Sequence, residues 1–284
     1  MNKKIVILIL FVFFSALTLL NNNGQIKGAT DNKLAVYFLD IGQGDATLIR
    51  TPAGDDILID GGPNNTLLQK LGEYLPFYDH KIETIILTHP DSDHVTGLVE
   101  VIKRYEVDRV LMTRVYSDST SYLSFLAEVE KNNITVEVID QPEVVDFGGG
   151  VTFDIIYPLE NLVGQKVDST NNTSITGKLI YASTTVMLTG DLENEEELAA
   201  RHLDLKSDIY HVGHHGSSNA NDLSFVSAVE PRYAVISVGA NNHYGHPNYR
   251  TLKNLEKVAA EVFRTDQLGD IIFASDGSSW EIVK

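Results

Sequence analysis

Four apolar runs in this chain end in histidine or aspartate, and that recurrence constrains what the chain folds into more than any other feature. Thr84-Ile85-Ile86-Leu87 leads into Thr88-His89-Pro90-Asp91-Ser92-Asp93-His94, which places four potential metal ligands within six residues. Thr184-Thr185-Val186-Met187-Leu188 leads into Thr189-Gly190-Asp191, and Ile209-Tyr210-His211-Val212 leads into Gly213-His214-His215-Gly216-Ser217. A fourth apolar run, 233–238, opens on Gly239-Ala240-Asn241-Asn242-His243-Tyr244-Gly245-His246-Pro247. An extended backbone points alternate side chains to the same side. At the end of the first run, His89 and Asp91 can therefore serve one ion while Asp93 and His94 turn to a second. Imidazole plus carboxylate suits zinc or manganese, the oxygen-rich sites leaning toward manganese. Asp191 is placed to bridge two ions. A strand-ending Gly-Asp alone is ordinary turn chemistry, and it gains weight only in this company.

Of the adjacent histidines, one is expected at metal and the other at substrate. Alternation does not say which; the reading leans to His215 as ligand, with His214 facing substrate. His246, held between Gly245 and Pro247, is a candidate for substrate contact or proton donation. His80 and His202 read as surface residues and His211 as structural. Asp93 has a rival role as helix N-cap.

The rest of the chain supplies alternating strands and helices. Strands are predicted at 34–39, 46–50, 56–60, 83–87, 109–113, 135–139, 151–157, 174–181, 184–188, 208–212, 233–238, 271–274 and 279–283, and helices at 65–75, 98–105, 121–132, 222–229 and 249–262. No low-complexity linker divides the chain. Two mixed β-sheets packed face to face with outer helices, an α/β fold of αββα sandwich type spanning 34–284, fit this order better than two separable domains.

The start differs in kind. Met1-Asn2-Lys3-Lys4 is basic and residues 5–20 are an uninterrupted apolar and small run, the pattern of export. Residues 1–29 are expected to be a signal peptide, or an anchor with its spacer that attaches the protein to the outer face of the cytoplasmic membrane through 5–20. The absence of cysteine excludes disulfides, thiolate zinc sites and cysteine nucleophiles. The net charge is −17, and without residues 1–29 there remain 19 basic against 39 acidic residues, a net of −20. Nonspecific affinity for nucleic acid comes mainly from Lys and Arg against phosphates, and no basic groove is evident.

Taken in order, Leu39-Asp40-Ile41-Gly42-Gln43-Gly44-Asp45, Leu58-Ile59-Asp60-Gly61-Gly62, the 88–94 motif, Leu188-Thr189-Gly190-Asp191-Leu192, the 211–218 motif, the 241–247 motif and the terminal segment 263–277 resemble metallo-β-lactamase-fold hydrolases, specifically the hydrolase domain of ComEC-type DNA-internalisation competence proteins. The resemblance runs from about Leu34 to the C-terminus. It implies a metallo-β-lactamase fold, two divalent ions (zinc or manganese) held by His89, Asp91, Asp93, His94, Asp191 and His215, and Asp60 as the acid that orients a ligand histidine. Catalytic roles fall to Asp93, His214 and His246. Two departures stand out. Asp91 replaces the second histidine of the general superfamily pattern, as in competence-type relatives, and no histidine lies between His94 and Asp191. Asn172 or Ser174 is expected where the middle histidine would stand, which weakens one metal site. The only long apolar run is 5–20, so a transmembrane channel is not expected in this sequence.

The expected function is an extracytoplasmic metal-dependent phosphodiesterase or nuclease using metal-activated hydroxide. Its substrate would be a phosphoester, including short nucleic acid. A phosphocholine-type or other small phosphoester follows, then lactone or β-lactam hydrolysis, then a noncatalytic metal-binding module of the same fold.

Overall fold

The computed structural model describes residues 31–201 and 203–284; the expected leader and His202 lie outside them. Two sheets form the centre. The first, of eight strands, comprises β1 (Leu34–Phe38), β2 (Thr47–Arg50), β3 (Asp56–Ile59), β4 (Lys81–Leu87), β5 (Glu106–Met112), β6 (Thr135–Val138), β14 (Ile271–Ser275) and β15 (Trp280–Ile282), in the order β15-β14-β1-β2-β3-β4-β5-β6. The second comprises β7 (Glu143–Asp146), β8 (Val151–Tyr157), β9 (Thr176–Tyr181), β10 (Thr184–Leu188), β11 (Ile209–His211), β12 (Tyr233–Ile236) and β13 (Glu261–Arg264), in the order β13-β12-β11-β10-β9-β8-β7.

The period-two alternation of the strands explains the layering. In β1, Leu34, Val36 and Phe38 point between the sheets, where they pack with Ile57, Val186 and Phe273. Ala35 and Tyr37 point outward to a core shared with the helices Thr66–Tyr74, Ser92–Ile102 and Thr120–Lys131. A third core under Leu223–Val229 and Tyr249–Lys257 covers the second sheet through Tyr210, Val212, Ala234 and Ile236. Strands buried on both faces read as unbroken apolar runs. The result is the expected αββα sandwich.

Three features place the site. β3, β4 and β5 run parallel, as do β10, β11 and β12, so their C-terminal ends open on one rim of each sheet. The helix expected from 98 begins at Ser92, so Asp93 and His94 lie in its first turn and Asp91 at its N-cap. Gly97 lets that helix settle onto the turn after β3: a Cβ there would lie 1.9 Å from the Gly61 carbonyl oxygen.

The helix expected over 249–262 stops at Lys257. Ala259 takes φ +58, and Glu261–Arg264 pairs with β12 as a strand. Among the described residues, no helix is long and apolar enough to cross a membrane.

Candidate metal centre

The two rims meet around Asp191, which leaves β10 through the left-handed Gly190. Its Oδ2 lies 3.3 Å from His94 Nε2, 3.6 Å from His215 Nε2, 3.8 Å from His214 Nε2 and 4.0 Å from His89 Nε2. One buried carboxylate oxygen thus faces four imidazole nitrogens. Asp93 Oδ2 adds a second acid, 3.3 Å from His215 Nε2.

Each of the three innermost rings is fixed from behind. His94 Nδ1 lies 2.8 Å from Asp60 Oδ2, and Asp60 also accepts from the Thr88 backbone N–H and hydroxyl at 2.9 and 2.6 Å. His89 Nδ1 faces Thr88 Oγ1 at 3.0 Å and Ser174 Oγ at 3.3 Å. Both hydroxyl protons are already given away, to Asp60 and to the Asn171 carbonyl, so these oxygens accept and His89 Nδ1 carries the proton. His215 Nδ1 donates to the Ser237 carbonyl at 3.1 Å. All three rings therefore turn Nε2 to the shared space, the tautomer a metal ligand needs.

Carboxylates stand near those atoms at 3.3 Å or more without forming hydrogen bonds to them. His89, His94 and His215 Nε2 and Asp191 Oδ1 are buried without a hydrogen-bond partner. An unsatisfied buried polar group costs about 1–3 kcal/mol, so a converging set of them fits a cation. Among the described residues, three groups have ligand atoms mutually within 4.8 Å: His89, His94 and Asp191; Asp93, His94 and His215; and Asp45, Asp191 and His215.

The electrostatics agree. Burial opposes charge on His94, but Asp191 and Asp60 outweigh it and hold the pKa well above the ordinary imidazole value. His215 is raised in the same way, against burial, by Asp191 and Asp45. Burial and the neighbouring His94 push His89 down to about 4. Against the cost of burial, His94 and His215 hold Asp191 well below its usual range.

Asp91 stands further out. Its Oδ2 is 4.0 Å from His89 Nε2, and its Oδ1 accepts from Thr170 Oγ1 at 2.6 Å. Asp91, not Asp93, occupies the N-cap position, without a side-chain capping bond. His214 and His215 occupy consecutive left-handed positions, φ +50 and +52, a strained pairing for residues with a Cβ. Asn221 Nδ2 steadies it by donating to the Gly213 and Ser217 carbonyls at 2.9 and 3.3 Å. The turn separates the two rings: His215 is buried, whereas His214 is partly exposed, with Nδ1 3.1 Å from Glu193 Oε1.

His246 joins from the fourth strand end, its ring 5.7 Å from that of His214 and nearly parallel to the exposed Tyr244 at 5.8 Å. Asn242 holds its backbone from both sides, accepting from the His246 N–H at 3.0 Å and donating to its carbonyl at 2.8 Å. Burial and the neighbouring His214 and His215 lower its pKa to about 4, so near neutral pH it is an uncharged imidazole.

Asn172 Oδ1 accepts the Glu193 N–H at 3.0 Å and props the turn after Asp191. Ser174, between His89 and the Asp191 N–H, stands nearer the metal-facing atoms. His80 is exposed, and His211 is buried with Nε2 2.8 Å from Ser237 Oγ. Two neighbours of the site escaped sequence reasoning. Glu193 is one. The other is Asp45, which ends a glycine-rich turn and reads locally as turn chemistry.

Comparison with known proteins places this arrangement. The chain is 29% identical over 255 residues to ComE operon protein 3 of Bacillus subtilis (strain 168), covering 83% of this chain and 32% of that protein. It is 26% identical over 254 residues to competence protein ComA of Neisseria gonorrhoeae, covering 87% of this chain and 33% of that one. The chain thus spans about a third of the length of these curated relatives. Among solved structures, the metallo-β-lactamase fold protein YhfI from Bacillus subtilis superposes with a TM-score of 0.53 at 15% identity, covering 81% of this chain and 96% of that one, a likeness of fold. The family model of the metallo-beta-lactamase superfamily matches residues 39–240, and the chain belongs to that superfamily.

Proposed function

We propose that this protein is a metal-dependent phosphodiesterase or nuclease that acts outside the cytoplasm. The observation that carries the reading is the set of unpartnered imidazole Nε2 atoms converging on Asp191. His89, Asp91 and Asp191 would hold one divalent ion, zinc or manganese, and Asp93, His94, His215 and Asp191 a second. Such a pair supplies Lewis acidity toward a phosphoryl oxygen and a water of lowered pKa.

The chain's own residues do the rest. Asp60, Thr88 and Ser174 hold the ligand rings in the required tautomer. His214, oriented by Glu193, and His246, oriented through Asn242, line the opening where a phosphoester would lie. As an uncharged imidazole, His246 orients substrate and accepts a proton before it can return one to a leaving group. The site with only His89 as imidazole is the poorer of the two, so partial filling there is expected.

A second reading draws on the exposed Tyr244 beside His246 and on the net charge of −17. An aromatic face at an acidic rim suits a small phosphoester with a cationic head. Export rests on the apolar run at 5–20. Initial rates on bis(4-nitrophenyl) phosphate, single-stranded DNA, 4-nitrophenyl phosphocholine and nitrocefin separate these readings. The proposal expects the diester or the oligonucleotide to lead. A lead for nitrocefin, or no turnover of any substrate by metal-loaded protein, contradicts it.

A further inference from the structure

We infer that Asp45 supports His215 as a metal ligand by placing negative charge behind its ring, whereas Asp60 supports His94 through a direct hydrogen bond. The inference rests on the metal-binding reading above and not on the phosphodiester one. Asp45 is 4% exposed, and its Oδ1 lies 3.3 Å from His215 Nδ1 and 3.7 Å from His211 Nε2. That oxygen has no hydrogen-bond partner, because the His215 Nδ1–H is directed to the Ser237 carbonyl. A neutral carbonyl alone holds the ring's orientation; a carboxylate beside the same N–H adds negative charge where the imidazole becomes more acidic once Nε2 gives its lone pair to a cation. Carboxylates behind ligand histidines raise their basicity in this way. Asp45 and Asp60 also border one small internal cavity beneath the rim, together with Thr47, Thr88 and His211.

The turn that carries Asp45 is keyed to the site at both ends. The Asp45 N–H donates to the Asp93 carbonyl at 3.3 Å, and a Cβ on Gly44 would fall 2.2 Å from that same oxygen. Only glycine lets the turn lie against the backbone of Asp93. On the other side Gln43 Oε1 accepts the Gly239 N–H at 3.2 Å, tying the turn to the segment after β12. The Gly42-Gln43-Gly44-Asp45 motif thus joins the two sheets at the ligands and delivers a carboxylate to the back of His215.

The test is calorimetric zinc titration of the metal-stripped full chain, wild type beside Asp45→Asn and Gln43→Ala, with the visible spectrum of each protein loaded with cobalt(II). Asp45→Asn, which keeps the shape and removes the charge, should weaken one zinc site by about 10–100-fold, the range for partners of ligand histidines. It should also change the cobalt(II) absorption, with the metal-free protein still folding cooperatively. Gln43→Ala, which loosens the turn and keeps the carboxylate, should give a smaller loss of zinc affinity. Zinc binding by folded Asp45→Asn equal to wild type overturns the inference. Should Asp45→Asn fail to fold, unchanged zinc affinity in Gln43→Ala overturns it. Wild-type protein that takes up no zinc overturns the metal reading and this inference with it, whereas wild-type uptake matched by Asp45→Asn overturns this inference alone.

Discussion

Both ends of the second sheet gather charged side chains, but among the described residues only one end leaves buried polar atoms without a hydrogen-bond partner. Where β10, β11 and β12 begin, Lys178 meets Asp204 at 2.9 Å and Lys206 meets Glu230 at 2.8 Å. Asp208 accepts the Thr185 N–H at 2.9 Å and the Trp280 indole N–H at 3.2 Å. Where the same strands end, Asp191 sits among His89, His94 and His215, whose buried Nε2 atoms have no hydrogen-bond partner. A cluster of charges is therefore no sign of a site by itself. Ion pairs at a strand's start hold loops in place, whereas buried donors and acceptors left open are a cost the fold bears for a ligand.

The largest expected effect breaks or upholds that contrast. Asp191→Asn should cut both metal content and hydrolysis by at least about a hundredfold, since loss even of a partner behind a metal ligand costs about 10–100-fold. Asp208→Asn should leave the rate per folded molecule unchanged and lower stability by about 1–3 kcal/mol. Metal analysis, initial rates and thermal melts of both variants make the comparison. Equal rate losses in the two would dissolve it.

Acidity sharpens the contrast next. Asp191 and its neighbours hold the pKa values of His94 and His215 above the ordinary imidazole value of 6.5, so a metal ion must displace protons from the metal-free site. Zinc affinity should rise with pH by about tenfold per unit for each proton displaced. The metal-free protein should show the opposite slope. A histidine whose folded pKa is raised stabilises fully below its unfolded pKa, and that contribution is lost as pH climbs through the folded value. Titrations and melts across that range should give curves of opposite sign for metal uptake and metal-free stability; parallel curves would contradict the assignment of His94 and His215.

The smallest effect concerns the surface as a whole. With a net charge of −17, approach of a polyanion should be resisted within a Debye length of about 10 Å at 0.1 M salt. Cleavage of long DNA should therefore rise modestly with monovalent salt, while hydrolysis of a small diester stays nearly flat. A steep fall of the DNA rate with added salt would reveal a basic track.

Much of this was legible in the sequence because its signals are local. His89, Asp91, Asp93 and His94 follow one apolar strand, and the β-branched runs of β4, β10 and β12 mark buried strands. What escaped depends on distant contacts or on backbone angles. The choice between His214 and His215 cannot be made by alternation, since both leave the extended region. The start of the strand Glu261–Arg264 reads as the end of a helix until Ala259 turns left-handed and β12 supplies a partner. The short strand Glu143–Asp146 and the short helix Glu195–Ala200 are polar and gave no periodic signal. Asp45 looks like a turn residue until the second sheet brings His215 against it.

The most direct test of the central claim follows one preparation of the purified protein through three states, with bound metal and the rate on bis(4-nitrophenyl) phosphate measured together in each. The account predicts hydrolysis in the metal-loaded protein, none after exhaustive chelation, and recovery in step with returned manganese or zinc up to two ions per chain. Undiminished hydrolysis in protein verified to be metal-free would contradict it.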